Sequence, residues 1–106
     1  MSLNELASTL EKEGKLYLGC KGKIYDVSEG ESFYGKGAGY HLFIGNDSSV
    51  ALAKMDFNPE YMDPSQMHWQ RDLNEEELNV LEEWVELYER KYTHVAYIKD
   101  DGKLKI

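Results

Sequence analysis

Three leucines near the start of the chain predict an amphipathic helix. Leu3, Leu6 and Leu10 are spaced by three or four residues, which places them on one helical face. Gly14 follows this pattern and suits a helix end, because glycine readily adopts the left-handed conformation found there. We therefore expect a helix that ends at Gly14.

The next segment has the pattern of a β-hairpin. Two short runs, 16–20 and 23–27, contain branched and aromatic residues and are separated by Lys-Gly at 21–22. A two-residue connection with glycine is typical of a tight hairpin turn. Cys20 is the one cysteine of the chain, so we expect a small core residue there and no internal disulfide or cysteine-based zinc site.

The longest apolar stripe predicts the main helix. Asn74 suits the N-cap and Glu77 stands where a capping box requires an acid. Arg90 and Lys91 suit the negative end of the helix dipole. The apolar face between them comprises Leu78, Leu81, Trp84, Val85 and Tyr88.

The segments between these elements are less periodic. Residues 28–45 are rich in glycine and predict a loop with short helical turns, and 46–55 predict a helix capped by Asp47 or Ser48. Residues 56–72 hold both prolines and predict an irregular connection.

The end of the chain completes the predicted fold class. Residues 93–99 predict a strand, and Asp-Asp-Gly at 100–102 predicts a turn into 103–106. Helices and short strands without βα alternation indicate a small α+β protein, and the length indicates one domain over 1–106.

The composition excludes two classes of partner. Among 106 residues, 20 acidic and 12 basic side chains leave a net charge of −8. Such a chain is poorly matched to nucleic acid or to anionic lipid. No apolar run reaches the roughly 18 residues of a membrane span, and the start lacks the apolar core of a signal peptide. As written, we expect a soluble intracellular protein.

No set of residues predicts catalysis, so we expect that the chain is not an enzyme. Gly30–Gly37 approaches a phosphate-binding loop, but Gly37 stands where that loop needs Ser or Thr, and we interpret the match as coincidence. The histidines lack zinc-site spacing. His41 and His68 are far enough apart in sequence to come from two sides of one pocket, which leaves a bis-histidine haem open.

The tyrosines carry a further hypothesis. Tyr34 and Tyr40 are flanked by glycines, which let the backbone approach a flat ligand. Phenolate is one of the axial ligands used for haem iron, and Lys91 beside Tyr92 suits pairing with propionates. The alternative is that these tyrosines only pack.

Several motifs resemble the haem/steroid-binding domain of the membrane-associated progesterone receptor family, a branch of the cytochrome b5-like fold. They are "GKIYDV" at 22–27, "GESFYG" at 30–35, "YHLFIGNDSSVALA" at 40–53, and Trp84 followed by "KYTHV" at 91–95. The resemblance implies a short mixed sheet with helical hairpins that form a ligand pocket.

The resemblance also implies a site. By the family's motif, Tyr40, seven residues before Asp47, ligates the iron of ferric haem b. Tyr34, Lys91 and Tyr92 line the haem and bond its propionates or the ligand tyrosine. The "HPGG" motif of the b5 electron carriers is absent, which argues against bis-histidine electron transfer.

The implied function is that of an adaptor that binds haem non-covalently and associates with steroids or sterols and with cytochrome P450 enzymes. Most family members are membrane-anchored, so membrane association follows if an N-terminal anchor was removed. His41 replaces a family glycine beside the ligand, which leaves a haem-to-haem homodimer open. The alternative is a haem-free module of the same fold that binds proteins or apolar ligands.

Overall fold

The structure, a computed structural model, describes residues 1–63 and 65–99. In chain order its elements are helix α1 (Leu3–Glu13), strands β1 (Tyr17–Cys20) and β2 (Lys23–Asp26), helices α2 (Glu31–Tyr34), α3 (Ser49–Lys54), α4 (Trp69–Asp72) and α5 (Glu75–Lys91), and strand β3 (Thr93–Tyr97). Single 3-10 turns lie at Ser28–Gly30, His41–Phe43 and Pro59–Met62.

The predicted hairpin is confirmed and forms part of a three-stranded sheet. Lys21 and Gly22 both have positive φ, 51° and 80°, as a tight hairpin turn requires. The strand order is β1-β2-β3 and both pairings are antiparallel. The sheet is therefore antiparallel where we expected a mixed one; a parallel contact occurs at an isolated bridge between Gly19 and Asp47.

Alternation along the strands divides the buried residues between two clusters, because successive side chains in a strand point to opposite faces. The main cluster joins the hairpin to α3 and α5 and includes Leu18, Cys20, Tyr25, Leu52 and Leu81, each at most 2% exposed. The second cluster comprises Leu6, Tyr17, Ile24 and Ile98. Cys20 is a buried core residue, as predicted, and burial raises the pKa of its thiol.

Local capping sets the helix ends, as predicted. Gly14 ends α1 with a left-handed φ of 67°. At the start of α5, Glu77 N–H donates to Asn74 Oδ1 at 2.8 Å and Asn74 N–H donates to Glu77 Oε1 at 3.0 Å. Lys54 Nζ also donates to Glu77, at 2.8 Å, which ties α3 to α5.

Some expectations are corrected. Leu78 does not belong to the buried face of α5, since it is 37% exposed. Of the two predicted caps, Ser48 occupies the N-cap position of α3 without a side-chain hydrogen bond to the helix, and Asp47 just before it accepts at Oδ1 from Ser49 N–H at 3.1 Å. The predicted connection over 56–72 contains the turn Pro59–Met62 and helix α4.

Two remaining points concern the limits of the chain. The turn and last segment predicted over 100–106 lie outside the described residues.

None of the helices found in 1–63 and 65–99 is long and apolar enough to cross a membrane.

The capping box predicts a stability difference between two asparagines of the same helix. Asn74→Ala should lower the free energy of unfolding by about 1 kcal/mol, because the N-terminal amides of α5 lose their acceptor. Asn79→Ala is the control, since Asn79 is an exposed residue inside α5 and alanine there should stabilise by a few tenths of a kcal/mol. Thermal unfolding of the two variants measures both effects; equal losses would contradict the capping account.

Candidate functional site

The glycine-rich loop returns Tyr40 to the end of α2. Tyr40 N–H donates to Phe33 O at 3.0 Å. Gly37 has a φ of 87°, a value that favours glycine. The loop thereby brings the rings of Tyr34 and Tyr40 to a centroid distance of 5.8 Å.

Tyr40 is enclosed by aromatic rings on two further sides. The ring centroids of Phe43 and Phe57 lie 5.7 and 5.8 Å from that of Tyr40. A small gap of about 10 Å³ remains among Tyr40, Phe43, Phe57 and neighbouring side chains. Since a water molecule barely fits such a gap, this side of Tyr40 is closed to any larger ligand.

The other side of Tyr40 opens into a cleft of about 190 Å³. Its lining consists of Phe33, Tyr34, Tyr40, Trp84, Leu87, Lys91 and Tyr92, and we call it the tyrosine cleft. All but Lys91 are apolar or aromatic, so the walls suit a flat apolar ligand. Small-molecule pockets usually have volumes of roughly 300–1,000 Å³, so a ligand as large as haem would remain partly outside the cleft.

A buried pair of hydroxyls supports the base of the cleft. Tyr34 Oη and Tyr88 Oη lie 2.9 Å apart, and the two residues are 4% and 0% exposed. Burial raises the pKa of Tyr34 to about 12 and raises the pKa of Tyr88 as well. Both phenols are therefore neutral at physiological pH, and neither is the anionic ligand of this site.

Three polar groups of the cleft have no partner among the residues that the structure describes. Within 1–63 and 65–99, no hydrogen bond or ion pair involves Tyr40 Oη, Lys91 Nζ or Tyr92 Oη. Tyr92 Oη lies so close to Gly30 that a Cβ there would clash with it. These three groups are available to contact a ligand. The phenol of Tyr40 is of a type that ligates haem iron, and the Lys91 ammonium and the Tyr92 phenol are of types that bind a carboxylate.

Comparison with known proteins identifies the family of this chain. Residues 2–98 match the model of the cytochrome b5-like haem/steroid-binding domain. The chain belongs to this family. Its relatives place it in the membrane-associated progesterone receptor branch, in agreement with the resemblance inferred from the motifs.

Individual relatives agree on this assignment. Probable steroid-binding protein 3 of Arabidopsis thaliana is 41% identical over 78% of this chain and 79% of its own length. Cytochrome P450 regulator dap1 of Schizosaccharomyces pombe is 36% identical over 80% of this chain and 53% of its own length. A solved Arabidopsis thaliana structure described as having a cytochrome b5 like fold matches with a TM-score of 0.77 and 33% identity, over 92% of this chain and 88% of that one.

Some family members are much longer than this chain. The matched region is 32% of Membrane steroid-binding protein 2 of Oryza sativa, which is 40% identical over 84% of this chain. The cytochrome b5-like fold is thus common to this chain and its relatives, whereas the longer relatives have segments that this chain does not match.

His41 and His68 lie outside the tyrosine cleft. His41 Nδ1 is 2.8 Å from Tyr34 O. His68, only 2% exposed, accepts at Nδ1 from Gln70 N–H at 3.1 Å. Neither residue lines the cleft, so the structure gives no support to a bis-histidine haem. No cluster of three or more His, Cys, Asp or Glu suited to a metal occurs among the described residues.

A larger depression, of about 810 Å³, lies where α5 faces Lys23 of β2. Its lining consists of Glu82, Glu83, Glu86 and Glu89 together with Val85, Lys23 and Arg90. Four carboxylates against two cations make this lining acidic on balance, so the depression suits an anionic ligand less well than its size suggests.

The structure brings the four predicted site residues, Tyr34, Tyr40, Lys91 and Tyr92, into one cleft. Sequence reasoning missed Phe33 and Leu87 as lining residues. It placed Trp84 on the apolar face of a helix and in a family motif, and Tyr88 on that helix face, without assigning either of them to the site. The spacing of Trp84, Leu87 and Lys91 was an available signal, because such residues share a helical face.

The buried phenols predict a loss of stability in alkali. Their folded-state pKa values are raised above the ordinary value of 10.0, so their contribution is complete below about pH 10 and is lost as the pH rises toward the raised values. Urea unfolding between pH 9 and 12 should show this decline.

The matched variant for this prediction replaces both phenols. Tyr34→Phe with Tyr88→Phe leaves no buried hydroxyl unpaired and should make the decline above pH 10 shallower. Burial also raises the pKa values of Cys20 and Tyr25, so part of the decline should remain. Tyr97→Phe is the control, since Tyr97 is 64% exposed, and should leave the decline unchanged. An equal decline in the double variant would contradict the assignment to this pair.

Proposed function

We propose that this chain is a non-covalent haem-binding adaptor domain in which Tyr40 supplies a tyrosinate ligand to ferric haem b. The observation that supports the proposal is the convergence on one aromatic cleft of three polar groups, from Tyr40, Lys91 and Tyr92, that have no partner in the part of the chain that the structure describes. The membership of the chain in a haem/steroid-binding family supports the choice of ligand.

The residues have separable roles in this proposal. Bound haem would supply a ferric iron, a state that an anionic oxygen ligand favours over the ferrous one. Tyr40 would hold that iron through its deprotonated phenol oxygen. Lys91 Nζ and Tyr92 Oη would hold the propionates through charge-assisted hydrogen bonds. Tyr34 stays neutral and paired with Tyr88, which keeps its ring as a wall beside Tyr40.

The adaptor role rests on the partial enclosure of the ligand and on the names of relatives. A cleft of about 190 Å³ would leave part of a bound haem outside it, where a steroid, a second haem-loaded copy or another protein could make contact. Relatives are named as steroid-binding proteins and as a cytochrome P450 regulator. We extend both partner classes to this chain, and we propose that it performs no catalysis itself.

The second candidate is a haem-free module that binds proteins or apolar ligands. The small volume of the cleft favours it, and so does Phe33, which lies at the cleft and is 56% exposed. In this case the aromatic walls would contact a partner side chain or a steroid, and Tyr40 Oη would act as a neutral hydrogen-bond donor.

Titration of the purified chain with hemin separates the two candidates. We expect saturable one-to-one binding with a high-spin ferric absorbance spectrum, and an affinity at least tenfold lower in Tyr40→Phe because the ligand oxygen is lost. Lys91→Gln should weaken binding less and keep the spectrum. Tyr97→Phe, outside the cleft, is the matched control. Absence of saturable binding, or binding indifferent to Tyr40, would favour the haem-free module.

A further inference from the structure

The loop that precedes Tyr40 makes few side-chain contacts of its own. A Cβ placed on Gly37 or Gly39 would meet no atom within 4 Å, so these positions lie in open space. Glycines also leave many backbone conformations accessible. The glycines themselves therefore add little packing. The loop is held by backbone hydrogen bonds, from Ala38 N–H to Gly35 O at 2.9 Å and from His41 N–H to Ala38 O at 3.2 Å, by the aromatic contacts of the Tyr40 ring, and by hydrogen bonds to the end of α2.

Two hydrogen bonds close the loop against the end of α2. The backbone contributes Tyr40 N–H to Phe33 O, at 3.0 Å. The side chain of His41 contributes the second, from Nδ1 to Tyr34 O at 2.8 Å. Because a carbonyl oxygen only accepts, Nδ1 must carry the proton in this contact.

The second bond also satisfies a helix end. Tyr34 is the last residue of α2, and the last carbonyls of a helix lack partners within the helix. Tyr34 is itself buried, so water is a poor substitute for His41 as the hydrogen-bond donor to this carbonyl. The imidazole of His41 thus joins the residue after Tyr40 to the residue whose ring packs on Tyr40.

We infer that His41 is a positioning residue for Tyr40: its Nδ1–H bond to the Tyr34 carbonyl fixes the glycine-rich loop and with it the orientation of the phenol. The inference rests on the proposed role of Tyr40 as the haem ligand. In this role His41 does not contact the iron. Its Nδ1–H group positions Tyr40 by donating a hydrogen bond, and the charge of the imidazole ring has no part in this effect.

Two variants isolate the donor. His41→Asn keeps an N–H donor near the position of Nδ1, whereas His41→Leu has a similar size and no donor. Circular dichroism and thermal unfolding check that both variants fold.

Amide hydrogen exchange of the haem-free chain gives a readout that does not need the ligand. In His41→Leu, the Tyr40 amide should exchange about five- to tenfold faster, the factor expected for one lost hydrogen bond. His41→Asn should stay near the wild-type rate, and amides of β2 should be unchanged in both. Unchanged exchange of Tyr40 in His41→Leu, or faster exchange throughout the sheet, would overturn the inference.

Hemin titration of the same variants gives the second readout. We expect an affinity about five- to tenfold lower in His41→Leu, with recovery in His41→Asn. Equal affinity of the two variants would overturn the positioning role. If the wild-type chain binds no hemin, the proposed function fails, while the exchange experiment still decides whether His41 holds the loop.

Discussion

The hydrogen bond between the buried hydroxyls of Tyr34 and Tyr88 is the constraint on which the site depends. A buried hydroxyl without a partner costs about 1–3 kcal/mol, and each of these two groups has the other at 2.9 Å. The bond therefore joins the short helix α2 to the long helix α5 at one defined position. The two walls of the tyrosine cleft are the surfaces of these two helices.

The remaining geometry follows from this junction. Once Tyr34 is held against α5, the glycine-rich loop has to return to α2, and the backbone bond to Phe33 sets Tyr40 beside Tyr34. The end of α5 brings Lys91 and Tyr92 to the same cleft. The neutral pair of Tyr34 and Tyr88 thus lies beside three polar groups, from Tyr40, Lys91 and Tyr92, that have no hydrogen-bond or ion-pair partner within 1–63 and 65–99.

Sequence reasoning succeeded where the determining contacts are local. The turn at Lys21-Gly22 and the capping box of Asn74 and Glu77 depend on residues within a few positions of each other, and both were predictable. Leu78 was wrongly assigned to the buried face of α5, because helical spacing does not show which part of a helix the neighbouring elements cover. The Tyr34–Tyr88 bond spans 54 residues, and the cover of Phe57 over Tyr40 depends on a connection without periodicity. The residues themselves singled out Tyr34, Tyr40, Lys91 and Tyr92, and the family motifs supplied the roles that we propose for them.

A crystal structure of the chain with ferric haem tests the central claim most directly. The account predicts the iron bonded to Tyr40 Oη, the propionates at Lys91 and Tyr92, and an unchanged hydrogen bond between Tyr34 and Tyr88. Iron bonded to a histidine, or haem located away from the tyrosine cleft, would contradict it.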